Sequence, residues 1–246
     1  MAHPTHRYAL KWAKMITPQV RHLAFTREDE EPLKFSGGQF ITLHIEGPTK
    51  ILHRSYSIAN TPNLDNSVEI AIAYVEGGLA SNLLFGLEPG HHILASGPYG
   101  LFVLKDERPA RYVLVGTGTG VAPYRSMIND IKHRLENTDP ELEIVLVFGV
   151  RKPEDLLFGD EFLALAKENP RFKFQVCYSR EASKHPQPYE RFGRVQEVLA
   201  ELKLEPGKDI VYLCGNPNMI DDTFKILTES GFDRKNVRRE KYLFSH

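Results

Sequence analysis

From residue 111 onward the chain alternates apolar strands with amphipathic stretches, and this alternation limits its fold more than any other feature. "RYVLVG" precedes "APYRSMINDIKHRL", and "LEIVLVFGV" precedes "EDLLFGDEFLALAKE". "FKFQVCYS" leads to "GRVQEVLAEL", "DIVYLCG" leads to "PNMIDDTFKILTES", and "VRREKYLF" reads as a last strand. Near-continuous apolar strands joined by helices imply a parallel sheet covered on both faces. Residues 7–104 follow a different grammar. "QFITLHIE" (39–46) and "SVEIAIAYV" (67–75) alternate apolar with polar, and turn signals ("SGGQ", "EGPTK", "NTPNLDN") separate them. That spacing predicts an antiparallel β-barrel, broken by one short helix in "LASNLLFGL" (79–87). The charged, proline-bearing "KDERPAR" (105–111) lies between the two grammars. The expectation is therefore a two-domain chain, with a barrel over residues 1–105 and an α/β parallel-sheet domain over 106–246.

Charge and cysteine content narrow the function classes. The 31 basic and 32 acidic residues nearly cancel, and no basic-aromatic stripe points to nucleic acid. Cys177 and Cys214 are too few and too far apart to suggest a disulfide framework, a metal site or an iron–sulfur centre. The N-terminal "MAHPTHRYALKWAK" has no apolar signal core, and no apolar run is long enough to span a membrane. The expectation is a cytoplasmic protein without membrane or metal.

The turn "VLVGTGTGVAPYRSM" runs from strand to helix. Gly116, Gly118 and Gly120 permit a tight turn and close approach to a ligand. The helix that follows offers free N–H groups and a positive dipole end, which suit a phosphate. The G-x-G-x-G-x-x-P spacing is neither the G-x-G-x-x-G fingerprint nor a Walker loop. "YLCGNPNM" (212–219) is a second turn at a parallel strand end, where open α/β sheets place ligands. Cys214 there reads equally as a small buried apolar residue or as a neighbour of a reacting ring. Arg151 and Arg180 follow strands, and Arg194 opens a helix. Together they read either as solvated loop arginines or as a phosphate-gripping cluster able to tell NADP from NAD. In "LHRSYSIAN" (52–60), Arg54, Ser55, Tyr56 and Ser57 read as a strand, so Arg54 and Tyr56 share a face. That face suits a ligand with a phosphate and a flat ring, and it equally describes a half-exposed edge strand.

The ordered set "RSYS", "GGLAS", "GTGTGVAP", "CGNPNM" and "EKY" resembles the ferredoxin–NADP(+) reductase flavoprotein family, over roughly residues 7–243. It is most similar to the compact bacterial ferredoxin/flavodoxin reductases. The resemblance implies FAD in the barrel and NADP(H) on the second domain. It places Arg54 at the FAD pyrophosphate, Tyr56 against the isoalloxazine, Ser57 near its N5, and Ser55 and His53 in the same segment. Gly78, Leu79, Ala80 and Ser81 would present N–H groups and a hydroxyl to the pyrophosphate, with Ile72, Ala73 and Tyr74 lining the flavin. Gly116, Thr117, Gly118, Gly120 and Pro123 match the family's nucleotide turn. Ser179, Arg180, Arg151 and Arg194 match 2′-phosphate contacts. Cys214 and Gly215 would lie beside the nicotinamide. Glu240 matches a family carboxylate near the flavin, and Tyr242 or Phe244 would cover the flavin face. The implied catalytic set is Ser57, Cys214, Glu240 and Tyr242. The implied partner is ferredoxin or flavodoxin, docking on basic residues of "DRKNVRREK" (233–241), with a monomer as the default. Two alternatives stay open: an NAD(P)H-dependent reductase component of an oxygenase system or flavin reductase, and a non-catalytic flavin-binding relay subunit.

Overall fold

The period-two segments of the N-terminal half form six antiparallel strands and one helix. These are β1 (Thr5–Thr17), β2 (Val20–Arg27), β3 (Phe40–Glu46), β4 (Ile51–Ser57), β5 (Ser67–Ala73), α1 (Leu79–Gly86) and β6 (His92–Tyr99). This is a computed structural model of the chain, and it describes residues 4–29, 31–47, 49–62 and 66–242. The strands pair in the order β4-β3-β6-β1-β2-β5. A bridge between Ile58 and Ile70 joins the two ends of this order, as a barrel requires. Register shifts in β1 at Leu10/Trp12 and Met15/Thr17 let the long strand bend. Alternate residues point inward, so Leu10, Leu23, Phe25, Ile41, Leu43 and Ile70 form the core, and Leu84 of α1 joins them.

The C-terminal half supplies β7 (Arg111–Thr117), α2 (Ala122–Ser126), α3 (Ile128–Asn137), β8 (Glu143–Val150), α4 (Gly159–Glu168), β9 (Phe172–Tyr178), β10 (Glu190–Phe192), α5 (Val195–Glu201), β11 (Asp209–Gly215), α6 (Pro217–Glu229) and β12 (Val237–Lys241). The six strands are parallel, in the order β10-β9-β8-β7-β11-β12. Val113, Val115, Val145, Val147 and Val211 pack on one face against Val195 and Val198 of α5 and Ile220 of α6. On the other face Arg134 of α3 lies over the Tyr112 ring, and Phe162 of α4 meets Phe174. The sheet is thus covered on both sides, and its apolar strands have no wet face to alternate toward.

Contacts gather the chain into two units. Among the described residues, one holds those up to Leu104 together with Ala122–Asn129, and the other holds Lys105–Val121 and residues 130–242. The single helix expected over "APYRSMINDIKHRL" is broken between α2 and α3. At the break the Met127 N–H is shared between the Pro123 and Tyr124 carbonyls, and the Ser126 hydroxyl donates to the Asn60 carbonyl. The stretch "EDLLFGDEFLALAKE" likewise splits into a short 3-10 turn, Pro153–Asp155, and α4, with Phe158 in the left-handed region between them. Among the described residues no helix is long and apolar enough to cross a membrane.

Candidate functional site

In the first unit β4 presents its motif in alternation: Leu52, Arg54 and Tyr56 are half-buried on one side, and Ile51, His53 and Ser55 are exposed on the other. Tyr56 packs against the barrel core. Burial pushes its phenol up to about 12, which the Arg54 charge only partly opposes. The Arg54 guanidinium donates to the His53 carbonyl at 3.0 Å. Among the described residues no carboxylate pairs with it. A cation without a counter-ion beside an aromatic ring fits a ligand that carries phosphate and a flat ring system. Ser57 closes the strand and is buried. Ser55 instead meets Thr42 across the strands, at 3.0 Å between hydroxyls. His53 stands edge-on to His44 at 4.6 Å on that same outer face, so it does not share the side of Arg54 and Tyr56.

Past β5 the chain turns into α1. Ile72 is in the barrel core rather than lining an open face, whereas Ala73 is half-buried and Tyr74 exposed. Tyr74 donates to Asn82 Oδ1 at 2.9 Å, and its ring meets Phe85 edge-on at 5.1 Å. The Ser81 hydroxyl, expected to face the pyrophosphate, lies 2.7 Å from the Val75 carbonyl and 3.0 Å from that of Gly78. It holds the turn from within. The donors left toward an anion are the N–H groups of Leu79, Ala80 and Ser81, which lack intrahelical acceptors. Gly78 sits at the N-cap and brings no side chain to satisfy them. These features fit the FAD pyrophosphate.

In the second unit the strand order reverses beside β7: β8, β9 and β10 lie to one side of it and β11 to the other. Ligands of open α/β sheets bind at such a switch point, outside the carboxyl ends of the strands. Here those ends are Gly116-Thr117 and Cys214-Gly215, with Gly116 and Cys214 opposite one another. The glycines of the two turns do different work. A Cβ on Gly120 would stand 2.5 Å from the Cys214 carbonyl oxygen, and one on Gly215 would stand 2.5 Å from that of Thr117. Both are required for the turns to pack on each other, and the Asn216 N–H donates to Thr117 Oγ1 at 2.9 Å across the same contact. Gly118 instead faces open space at φ +55 and is exposed, so this is where the turn can admit a ligand. Pro123 is buried at the start of α2, where its fixed φ suits a helix start.

Cys214, Glu240 and Tyr242 converge beside these turns. Cys214 is paired with Glu240 across β11 and β12, and the Tyr242 N–H donates to the Gly215 carbonyl at 3.0 Å. Burial, and then the Glu240 carboxylate, push the Cys214 thiol well above its ordinary value, and a hydrogen bond with Tyr242 offsets this only in part. Cys214 is a neutral thiol here. Phe244, the other aromatic residue considered, lies outside the described residues.

Arg151, Arg180 and Arg194 follow the carboxyl ends of β8, β9 and β10, three adjacent strands. The Arg151 carbonyl accepts from the Arg180 N–H at 2.9 Å, and the Ser179 N–H donates to the Val150 carbonyl at 3.0 Å. Arg194 is the N-cap of α5. All three arginines are exposed, and among the described residues no carboxylate pairs with their guanidinium groups, although the Arg194 backbone N–H donates to Glu197 at 3.0 Å. Phe192, 63% exposed on the edge strand, adds an aromatic face two residues before Arg194. Neither β10 nor Phe192 was expected, because three residues of strand carry no periodic signal.

Part of the basic run 233–241 is engaged by neighbouring side chains. Arg238 is only 11% exposed; its guanidinium donates to Glu107 at 2.5 Å and also to the Tyr212 hydroxyl. Arg239 lies 3.6 Å over the Phe224 ring, Lys241 pairs with Asp221 at 2.6 Å, and Lys235 pairs with Asp233 at 3.2 Å. Arg238 is thereby withdrawn from the surface, whereas Arg234, Lys235 and Arg239 are exposed.

Residues 7–104 match the family described as oxidoreductase FAD-binding domain, and residues 114–225 match the oxidoreductase NAD-binding domain. Ferredoxin–NADP reductase B of Sorangium cellulosum (strain So ce56) is 34% identical over 235 residues, covering 92% of this chain and 93% of that protein. The propane 2-monooxygenase reductase component of Rhodococcus jostii (strain RHA1) is 32% identical over 92% of this chain, which spans only 60% of that relative. A ferredoxin NADP+ reductase from Neisseria gonorrhoeae, solved with bound FAD and NADP, superposes with a TM-score of 0.80 at 26% identity, covering 96% of this chain and 98% of that one. The chain is an oxidoreductase with an FAD-binding and a pyridine-nucleotide-binding domain, and it belongs to the ferredoxin–NADP reductase family of flavoproteins.

Proposed function

We propose that the protein exchanges electrons between NADP(H) and a small electron-carrier protein, a ferredoxin or flavodoxin. The observation that carries NADP(H) is the trio Arg151, Arg180 and Arg194 at adjacent strand ends, their guanidinium groups without carboxylate partners among the described residues. Such a trio suits a further phosphate, because guanidinium grips it bidentately and keeps its charge at any working pH. Ser179 would add a hydroxyl. Thr117 and the open Gly118 turn would receive the pyrophosphate and nicotinamide end. Arg54 and the first-turn N–H groups of α1 would hold the FAD pyrophosphate, Tyr56 would support the ring, and Ser57 would orient the approach to it. Bound FAD would supply the hydride and single-electron chemistry. Cys214, kept neutral, would pack beside the nicotinamide rather than react with it. Glu240 and Tyr242 would shape and cover the reacting face.

A second reading, the reductase component of an oxygenase system, has its own support in the propane 2-monooxygenase reductase relative. Anaerobic titration with NADPH and with NADH, followed by visible flavin absorbance, separates the two. Bleaching at about one equivalent of NADPH, with NADH much poorer, is the expected result. Equal reduction by NADH would move the assignment to the oxygenase reductase, and a protein that takes up no flavin would overturn both.

A further inference from the structure

We propose that Arg21, on β2, is a positioning residue for the FAD pyrophosphate and acts through α1; the proposal rests on FAD binding at the start of that helix. Arg21 lies within the buried run of β2, only 8% exposed. Its Nη1 donates to the Leu84 carbonyl at 3.1 Å and to that of Phe85, and its Nη2 donates to the Leu87 carbonyl at 2.8 Å. Its one ion pair among the described residues, with the exposed Glu88 carboxylate, is longer, at 3.8 Å. The short bonds of the cation thus go to the carbonyl end of the helix, and the side-chain anion is a longer, exposed contact.

The helix needs this clamp. It has eight residues, too few to form alone in water. Its last turn holds no basic residue and its first turn no acidic one, so nothing within it complements its dipole. Ala80 and Leu84 are buried in the core, and Phe85, partly buried, packs against it. Arg21 supplies the missing cation at the negative end, from a strand 63 residues earlier in sequence than its first carbonyl partner. The positive end, with Gly78 as its bare N-cap, is left to an anion. Two turns of helix, about 12 Å, separate the two ends, too far for the guanidinium to attract a phosphate strongly in a wet site. Its influence is therefore mechanical: three carbonyls gripped by one planar fork set how far along its axis the helix sits, and hence where the first-turn N–H groups point. Lysine cannot reproduce a planar fork.

The test compares deflavinated wild type, Arg21→Gln and Arg21→Lys, each shown to be folded by circular dichroism. Each is titrated with FAD and with riboflavin, which has the same ring and no phosphate. Arg21→Gln should lose roughly tenfold or more in FAD affinity, with riboflavin affinity within about twofold of wild type. Arg21→Lys should fall between, and it carries the test if the glutamine variant does not fold. Equal losses for both flavins, or no loss for either, would overturn the role of Arg21 and leave the flavin reading intact. A wild-type protein that binds riboflavin and FAD equally would overturn the pyrophosphate site itself, and this proposal with it.

Discussion

Arg180 is the residue on which the nucleotide preference turns. It is exposed at the end of β9, its backbone is tied to Arg151, and among the described residues no carboxylate competes for its side chain. A charge-assisted hydrogen bond is worth about 1.5–3 kcal/mol, so Arg180→Ala should raise the KM for NADPH roughly tenfold to a hundredfold. The KM for NADH should stay within about twofold, since NADH has no 2′-phosphate to lose. Steady-state kinetics with both nucleotides check this, and equal losses would remove Arg180 from the 2′-phosphate site. The cysteines make a second prediction at this scale. Burial pushes Cys177 up to about 12 and Cys214 well above its ordinary value, and both are buried. Neither should react with a thiol reagent in the native protein at pH 8, and both should react once it is unfolded. Fast labelling of Cys214 in the folded protein would show that its strand end opens.

At the scale of elements, the two turns of the parallel sheet carry the sharpest contrast. Gly120→Ala would drive a methyl to 2.5 Å from the Cys214 carbonyl oxygen, which is backbone and cannot rotate away. Parting the two turns should cost about 2–3 kcal/mol, at the upper end of overpacking penalties, and should weaken nucleotide binding. Gly118→Ala meets no atom within 4 Å and pays only for its left-handed backbone, about 1 kcal/mol. Urea denaturation of the two variants measures the difference, and equal midpoints would refute it. This contrast also marks what the sequence made legible. The β-α alternation and the period-two strands were sufficient for both architectures, because burial on two faces or one imprints directly on the order of apolar residues. The glycine turns were legible as turns. The division of labour among Gly118, Gly120 and Gly215 was not, since it depends on which backbone lies opposite. The clamp made by Arg21 and the burial of Arg238 within the basic run 233–241 were not legible for the same reason: a charged residue in sequence does not announce whether its partner is water, a carbonyl or a carboxylate 131 positions away, as Glu107 is from Arg238.

For the molecule as a whole, the segment Ala122–Asn129 belongs by its contacts with the barrel, although it follows the nucleotide turn in sequence. A charged cluster accounts for this. Arg125 Nη1 donates to Glu69 Oε2 at 2.7 Å and to the Ala59 carbonyl at 2.9 Å, and His22 Nε2 lies 2.9 Å from the same carboxylate oxygen. Burial alone would raise the Glu69 carboxyl, but the hydrogen bonds from His22 and Arg125 and the Arg125 charge outweigh it and hold the group at about 2. The unfolded chain therefore takes up this proton first. The stabilisation is complete above the ordinary carboxyl value of 4.5 and is lost as the pH falls toward 2. It amounts to roughly 3 kcal/mol in full, of which about 2 kcal/mol should be gone by pH 3. Glu69→Gln should lower stability at pH 7 by about 3 kcal/mol, because the half-buried bonds of Arg125 and His22 to this carboxylate lose its charge. Its stability should then fall less between pH 6 and pH 3 than that of wild type, by about 2 kcal/mol. Urea titrations of both proteins at the two pH values isolate the Glu69 contribution, since every other carboxylate is common to both. Parallel pH dependence would mean that Glu69 is not the group whose protonation releases the cluster, and the anchoring of Ala122–Asn129 would then rest on Ser126 and the apolar contacts around Tyr124.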